Sequence, residues 1–90
     1  GKHVRVTFEL PYSIWAERVN LVGDFNNWDT TEGEMHQGRS DGKWRISLVL
    51  ESGKEYQFRY LVDGRDWHND WSADKYVPNL FGTDNSVVVT

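Results

Sequence analysis

The sequence predicts an all-β fold, a small β-sandwich formed by a single domain spanning residues 1–90. Three observations carry this. Several short segments alternate apolar and polar residues with a period of two, the mark of a half-buried strand. Turn signals rich in Gly, Asp, Asn and Pro separate them. No segment shows the 3.6-residue periodicity of an amphipathic helix.

Taken in order, Lys2 to Leu10 sets Val4, Val6, Phe8 and Leu10 against Arg5, Thr7 and Glu9. Pro11-Tyr12-Ser13 should end that strand, with Ile14 and Trp15 folding back over the core edge. Glu17 to Gly23 reads as a second strand, in which Val19 and Leu21 alternate with Asn20. The chain then breaks at Gly23 and passes through Asp24, Asn26 and Asn27, short polar side chains that bond to nearby backbone and favour turns. Thr30 to Gly42 reads as a loop with Met35 as an inward anchor. Lys43 to Leu50 turns Trp44, Ile46, Leu48 and Leu50 inward. Glu51-Ser52-Gly53-Lys54 has the composition of a hairpin turn into Glu55–Val62, where Tyr56, Phe58, Tyr60 and Val62 share a face opposite Gln57, Arg59 and Leu61. Asp63-Gly64 is a tight-turn signal. Arg65 to Thr83 reads as irregular but is too aromatic for a disordered linker, and Asn85 to Thr90 closes the fold as a strand.

Composition removes several classes of function. Ten Lys and Arg against fourteen Asp and Glu, interspersed, give a net charge of −4, which argues against nucleic acid or an anionic membrane as partner. There is no Cys, hence no disulfide framework and no thiolate zinc site. No apolar run approaches the length of a membrane span. No carboxylate pair sits in the apolar setting that glycoside hydrolysis requires, and no Ser-His-Asp arrangement is suggested. Asp66, His68 and Asp70 alternate like candidate metal ligands, but a solvated loop explains them better. Asp24, Asn26 and Asp29 lack the Gly and distal Glu of a calcium loop.

The aromatic residues are the stronger lead. Aromatics make up 14% of a chain that is only 38% hydrophobic, more rings than a small core needs. Trp44 shares a face with Ile46 and Leu48 and belongs to the core; Trp15 reads as core edge; Trp71 has no clear place. Trp28 and Trp67 differ, because each stands in a loop rich in Asn and Asp. Half-exposed indoles beside polar side chains suit a sugar, whose flat C–H patches stack on rings while its hydroxyls seek amides, carboxylates and cations. Arg59, on the outward face of its strand, has the forked donor geometry for vicinal hydroxyls, although taken by itself an ordinary solubilising charge explains it better.

These residues fall into an ordered pattern: Val22-Gly23-Asp24-Phe25-Asn26-Asn27-Trp28, then Tyr56 to Gly64, then Trp67, then Phe81-Gly82-Thr83-Asp84-Asn85 and the Val87-Val88-Val89 strand. The set resembles carbohydrate-binding module family 48. That family takes in the isoamylase N-terminal domains of glycogen and starch enzymes and the glycogen-binding domain of the AMP-activated protein kinase β subunit. The resemblance implies an immunoglobulin-like, early-set β-sandwich. It also implies a sugar site in which Trp28 and Trp67 stack on glucose units and Arg59 contacts hydroxyls. Phe81 would wedge against the ring, and Thr83 and Asn85 would bond to it. Two departures stand out. One additional residue lies between the Asp63-Gly64 turn and Trp67, and the bulkier Phe81 stands where kinase members carry Leu.

The expectation is therefore a non-catalytic module that binds α-1,4-linked glucan, without metal or cofactor, in a cytoplasmic setting. The alternative is a spacer or protein-interaction domain whose aromatic loops dock on an α-amylase-type enzyme or a regulatory protein.

Overall fold

The computed structural model describes residues 2–10 and 14–90; Gly1 and the Pro11-Tyr12-Ser13 segment lie outside the described residues. The strands are β1 (His3–Glu9), β2 (Val19–Gly23), β3 (His36–Gln37), β4 (Trp44–Glu51), β5 (Glu55–Val62), β6 (Asp66–His68), β7 (Lys75–Pro78) and β8 (Asp84–Val89). They form two sheets. One is three-stranded in the order β1-β4-β3; the other is five-stranded, with β2-β5-β8-β7 in line and β6 also paired to β5.

Alternation explains how the sheets meet. In the smaller sheet Phe8 lies opposite Ile46, Val6 opposite Leu48 and Val4 opposite Leu50, so one face is apolar. On its other face the Thr7 and Ser47 hydroxyls bond at 2.8 Å, and Glu9 pairs with Arg45. The inner face of β5 supplies Phe58 and Tyr60, both fully buried. Phe58 stands edge-on to Phe8 across the sandwich at 5.0 Å, and Tyr60 edge-on to Phe58 at 5.8 Å. Each such burial contributes on the order of 1.5–3 kcal/mol. Met35 and Trp44 complete the core, as their positions in the sequence suggest.

The structure corrects four expectations. First, residues 51–54 do not close a hairpin. β5 pairs with β2, β8 and β6, while β4 pairs with β1 and β3 in the other sheet, so the two strands do not bond to each other. The turn instead carries the chain from one sheet to the other. Second, Trp15 is not core edge: Ile14 and Ala16 pack against the core, but the Trp15 ring is fully exposed. Third, residues 65–83 contain β6 and β7. β6 pairs with β5 and β7 with β8, each its neighbour along the chain, but at three and four residues they are too short for an alternating pattern to reveal them. A polar network ties this segment down: the Tyr60 hydroxyl donates to Asp70 Oδ2 (2.8 Å), the Asp70 amide to Ser86 Oγ (2.9 Å), and Ser86 Oγ to Asn69 Oδ1 (2.9 Å). Fourth, β2 is buried on both faces and begins only at Val19. The 33–35 segment closes its free edge, with Leu21 N donating to Gly33 O and Met35 N to Val19 O, and Asn20 Nδ2 reaches Glu32 O at 2.9 Å.

Along one edge of β5 the partner changes. β8 pairs with Glu55–Phe58 and β6 with Tyr60–Val62. Arg59 sits at the junction, on the outer face of the larger sheet.

Candidate functional site

The outer face of the larger sheet carries a groove of about 720 Å³, and all six residues singled out by the sequence line it: Trp28, Arg59, Trp67, Phe81, Thr83 and Asn85. Gln57, Pro78, Asn79 and Leu80 line it too, and sequence reasoning missed these four.

Trp28 is set by the turn after β2. Asp24–Asn26 form one 3-10 turn, and Asn27 and Trp28 both take left-handed backbone, each with φ 58°. For a bulky residue that conformation costs about 1–3 kcal/mol and persists only where the surroundings hold it. Here the Asn26 side chain accepts from Gly23 N (3.1 Å) and donates to Leu21 O (2.9 Å), extending the edge of β2. Trp28 N donates back to Gly23 O at 2.9 Å. Asp24 finishes the clamp, one carboxylate oxygen accepting from Trp28 Nε1 (2.9 Å) and the other from the Gln57 amide (2.8 Å). The indole is left half-buried with its Nε1–H already used. Removing the clamp by Asp24→Ala should lower stability by about 1.5–3 kcal/mol, the worth of charge-assisted hydrogen bonds. It should also weaken any ligand that depends on the Trp28 ring, as thermal unfolding and titration of the same variant would show together.

Trp67 arrives on the same face through strand pairing. Asp63 and Gly64 both have positive φ, as a tight turn between paired strands requires. The additional residue is absorbed there: Asp63 to Arg65 separate the paired Val62 and Asp66, and Trp67 falls opposite Leu61. Its ring is 41% exposed, and the Arg59 guanidinium carbon lies 5.8 Å from the ring centroid. Burial lowers the Arg59 pKa from its ordinary value, yet a guanidinium remains charged. Its Nη1 makes only a long 3.4 Å contact to Thr83 Oγ1, so donor capacity is left over.

The loop between β7 and β8 supplies the opposite wall, and Asn79 holds it. Its Oδ1 accepts from Phe81 N (2.9 Å) and Thr83 N (3.2 Å), while its Nδ2 donates to Thr83 Oγ1 (2.8 Å) and Asn85 Oδ1 (3.1 Å). An Asn that accepts from the amide two residues on is a turn signal readable from sequence; its bonds to Thr83 and Asn85 are not. The loop holds Leu80 (99% exposed) and Phe81 (89%) out in solvent. Asn85 is only 9% exposed and gives a second bond, from Nδ2 to Gln57 Oε1 at 3.1 Å. It therefore acts mainly by orienting Gln57 and Asn79. Thr83 Oγ1 accepts twice and keeps its own proton free to donate.

In sum the groove offers flat apolar surface, amides, a hydroxyl and a cation, and among the described residues no carboxylate lines it. Trp71 is exposed but lies outside it. Asp66, His68 and Asp70 do not form a metal centre: Asp70 is committed to Tyr60 and the Ser72 amide. No group of three or more His, Cys, Asp or Glu among the described residues is placed to hold an ion. Among the described residues, no helix is long and apolar enough to cross a membrane.

Comparison with known proteins agrees with this architecture. The chain is 40% identical over 73 residues to the 1,4-alpha-glucan branching enzyme GlgB 2 of Xanthomonas campestris pv. campestris, a match covering 72% of this chain and 10% of that enzyme. It is 41% identical over 61 residues to the branching enzyme GlgB of a Shewanella species, covering 63% of this chain and 8% of the enzyme. The Shewanella baltica enzyme matches at 37% over 62 residues, again 63% of this chain and 8% of the enzyme. The chain thus corresponds to about a tenth of the length of these relatives. The profile of carbohydrate-binding module 48, the isoamylase N-terminal domain, matches residues 2–77, ending just before the loop that carries Asn79 and Phe81. With its two-sheet immunoglobulin-like sandwich, the chain belongs to carbohydrate-binding module family 48.

Proposed function

We propose that the domain is a non-catalytic module that binds α-1,4-linked glucan in the groove over β5. The observation that carries this is the shared placement of Trp28 and Trp67: both rings are partly exposed and border one groove, with Arg59 against Trp67. The two rings stack on glucose units, Phe81 wedges beside them, and Arg59 and Thr83 donate to hydroxyls. Asn85 holds the amides of Gln57 and Asn79 in place for the same purpose. Because no carboxylate lines the groove, it holds a chain without cleaving it. The related branching enzymes act on α-glucan by name, which fits this substrate class.

Titration with maltoheptaose, followed by Trp fluorescence and amide chemical shifts, tests the reading. A saturable response in the millimolar range or below, absent with a β-linked glucan of equal length, is expected. No response at millimolar maltoheptaose overturns it. A second reading rests on Trp15, a fully exposed indole outside the groove: the domain would dock on an enzyme or regulatory protein through that side. It gains ground only if the sugar titration fails.

A further inference from the structure

We propose that the glucan footprint does not end at Trp67 but continues past it into a second cleft, so that this one ring is shared by two neighbouring subsites. The proposal rests on the α-glucan reading above and extends it to the length of chain bound.

Trp67 lines both the main groove and a separate cleft of about 320 Å³. The cleft lies on the same outer face, because antiparallel register puts Asn20 opposite Leu61 and Leu61 opposite Trp67. Directly opposed residues point to the same side of a sheet, so these three stand abreast on three adjacent strands. The row before them holds Val22 and Arg59, in the main groove's direction. From Gln57 through Arg59 to Leu61 is four residue steps along β5, about 13 Å of strand. A chain lying along β5 thus passes from the groove over Trp67 into the cleft without leaving the sheet.

The cleft's chemistry resembles that of the groove, with a carboxylate added. Buried Leu61 and the Trp67 ring give apolar surface, and Thr30, Thr31, Arg18 and Glu34 give a polar rim. The Arg18 and Glu34 side chains enter no ion pair or hydrogen bond among the described residues, although cation and carboxylate line the same cleft. A guanidinium that donates and a carboxylate that accepts, both uncommitted, suit a row of hydroxyls. Both residues are exposed, so replacing them should leave the fold intact.

The experiment compares maltotriose with maltoheptaose, on the wild-type domain and on the double variant Arg18→Ala/Glu34→Ala. A longer chain gains some apparent affinity simply from its many binding registers, so the variant decides. The expected result is that maltoheptaose alone shifts the Thr31, Leu61 and Gly64 amides. The double variant should then lose about fivefold or more in maltoheptaose affinity and keep its maltotriose affinity within twofold. Maltoheptaose shifts confined to the groove, or unchanged maltoheptaose affinity in the variant, overturn the extension and leave the groove reading standing. Equal loss for both sugars also overturns it, by assigning Arg18 and Glu34 to structure. Failure of the wild type to bind either sugar sinks the groove reading, and the extension with it.

Discussion

Replacing Trp28 and Trp67 together by Ala is expected to abolish the response to maltoheptaose, and either replacement alone should weaken binding by roughly 5- to 150-fold. The range follows from the worth of one stacked ring, about 1–3 kcal/mol where it has been measured for nucleic-acid bases. The two variants should differ in their effect on the fold. Trp67 stands on a short strand, is 41% exposed and makes no side-chain hydrogen bond among the described residues, so its loss should cost less stability than that of Trp28. Trp28 also gives up the Nε1 bond to Asp24, one of two that clamp the turn to the Gln57 amide. Truncating it should therefore lower stability by about 1 kcal/mol as well. Trp28→Phe separates the two contributions: it keeps a ring but loses the Asp24 bond, so it retains most of the affinity and still loses stability. Circular dichroism establishes that the double variant is folded. A folded double variant that binds maltoheptaose normally would remove the basis for the proposed site.

The largest effect on folding is expected at Gly33. Replacement by Ala should cost about 3 kcal/mol or more, which for a domain of this size corresponds to a fall in Tm of roughly 12–24 °C. Two causes add. The backbone has φ +69°, where an L side chain costs about 1–2 kcal/mol. In addition a Cβ would lie 2.1 Å from the Leu21 carbonyl oxygen and 3.1 Å from Asn26 Nδ2. The first is a backbone atom of a strand buried on both faces, so it cannot move aside. The Gly33 carbonyl accepts the Leu21 amide, and that bond lets the 33–35 segment close the edge of β2, so displacement there loosens the edge as well. Gly53→Ala is the control. Its φ is +77° but nothing stands within 4 Å, so only the conformational cost remains. Equal losses at the two positions would show that the close approach to Leu21 is not what Gly33 provides. Because Asn26 also anchors the turn that aims Trp28, displacement at Gly33 should disturb the groove in whatever fraction stays folded.

Strand content was largely legible in the residues. The alternation of Val4, Val6 and Phe8 and of Tyr56, Phe58 and Tyr60 needs no partner to be seen, since the pleat alone sends successive side chains to opposite faces. The Asp63-Gly64 turn was equally readable, because it rests on the backbone preferences of adjacent residues. Pairing was less accessible. The 51–54 segment has hairpin composition yet joins two sheets, and 65–83 looks irregular yet holds two strands. In the first case β4 and β5 take partners from other parts of the chain; in the second, β6 and β7 fold back on adjacent β5 and β8 but are too short for alternation to mark them.

The same division runs through the groove. Trp28, Arg59, Trp67, Phe81, Thr83 and Asn85 were identifiable from residue types, their order and a family resemblance, and the structure gathers all six. Asn79 and Gln57 were not identifiable because their parts depend on contacts formed only in the folded chain: Asn79 holds Thr83 and Asn85, and Asn85 holds Gln57. Trp15 and Trp67 make the limit plain. Both are indoles near strand boundaries; one stands free in solvent and the other borders a groove.

By itself, then, the sequence determined the alternating strands, the tight turns and the residue types available for a sugar, all of which follow from local stereochemistry and side-chain chemistry. Only the tertiary structure decided which edges pair, which indoles share a face, and that Trp67 stands between two hollows. Those outcomes depend on long-range register, and residues far apart in the chain acquire a common face only when the sheet is assembled.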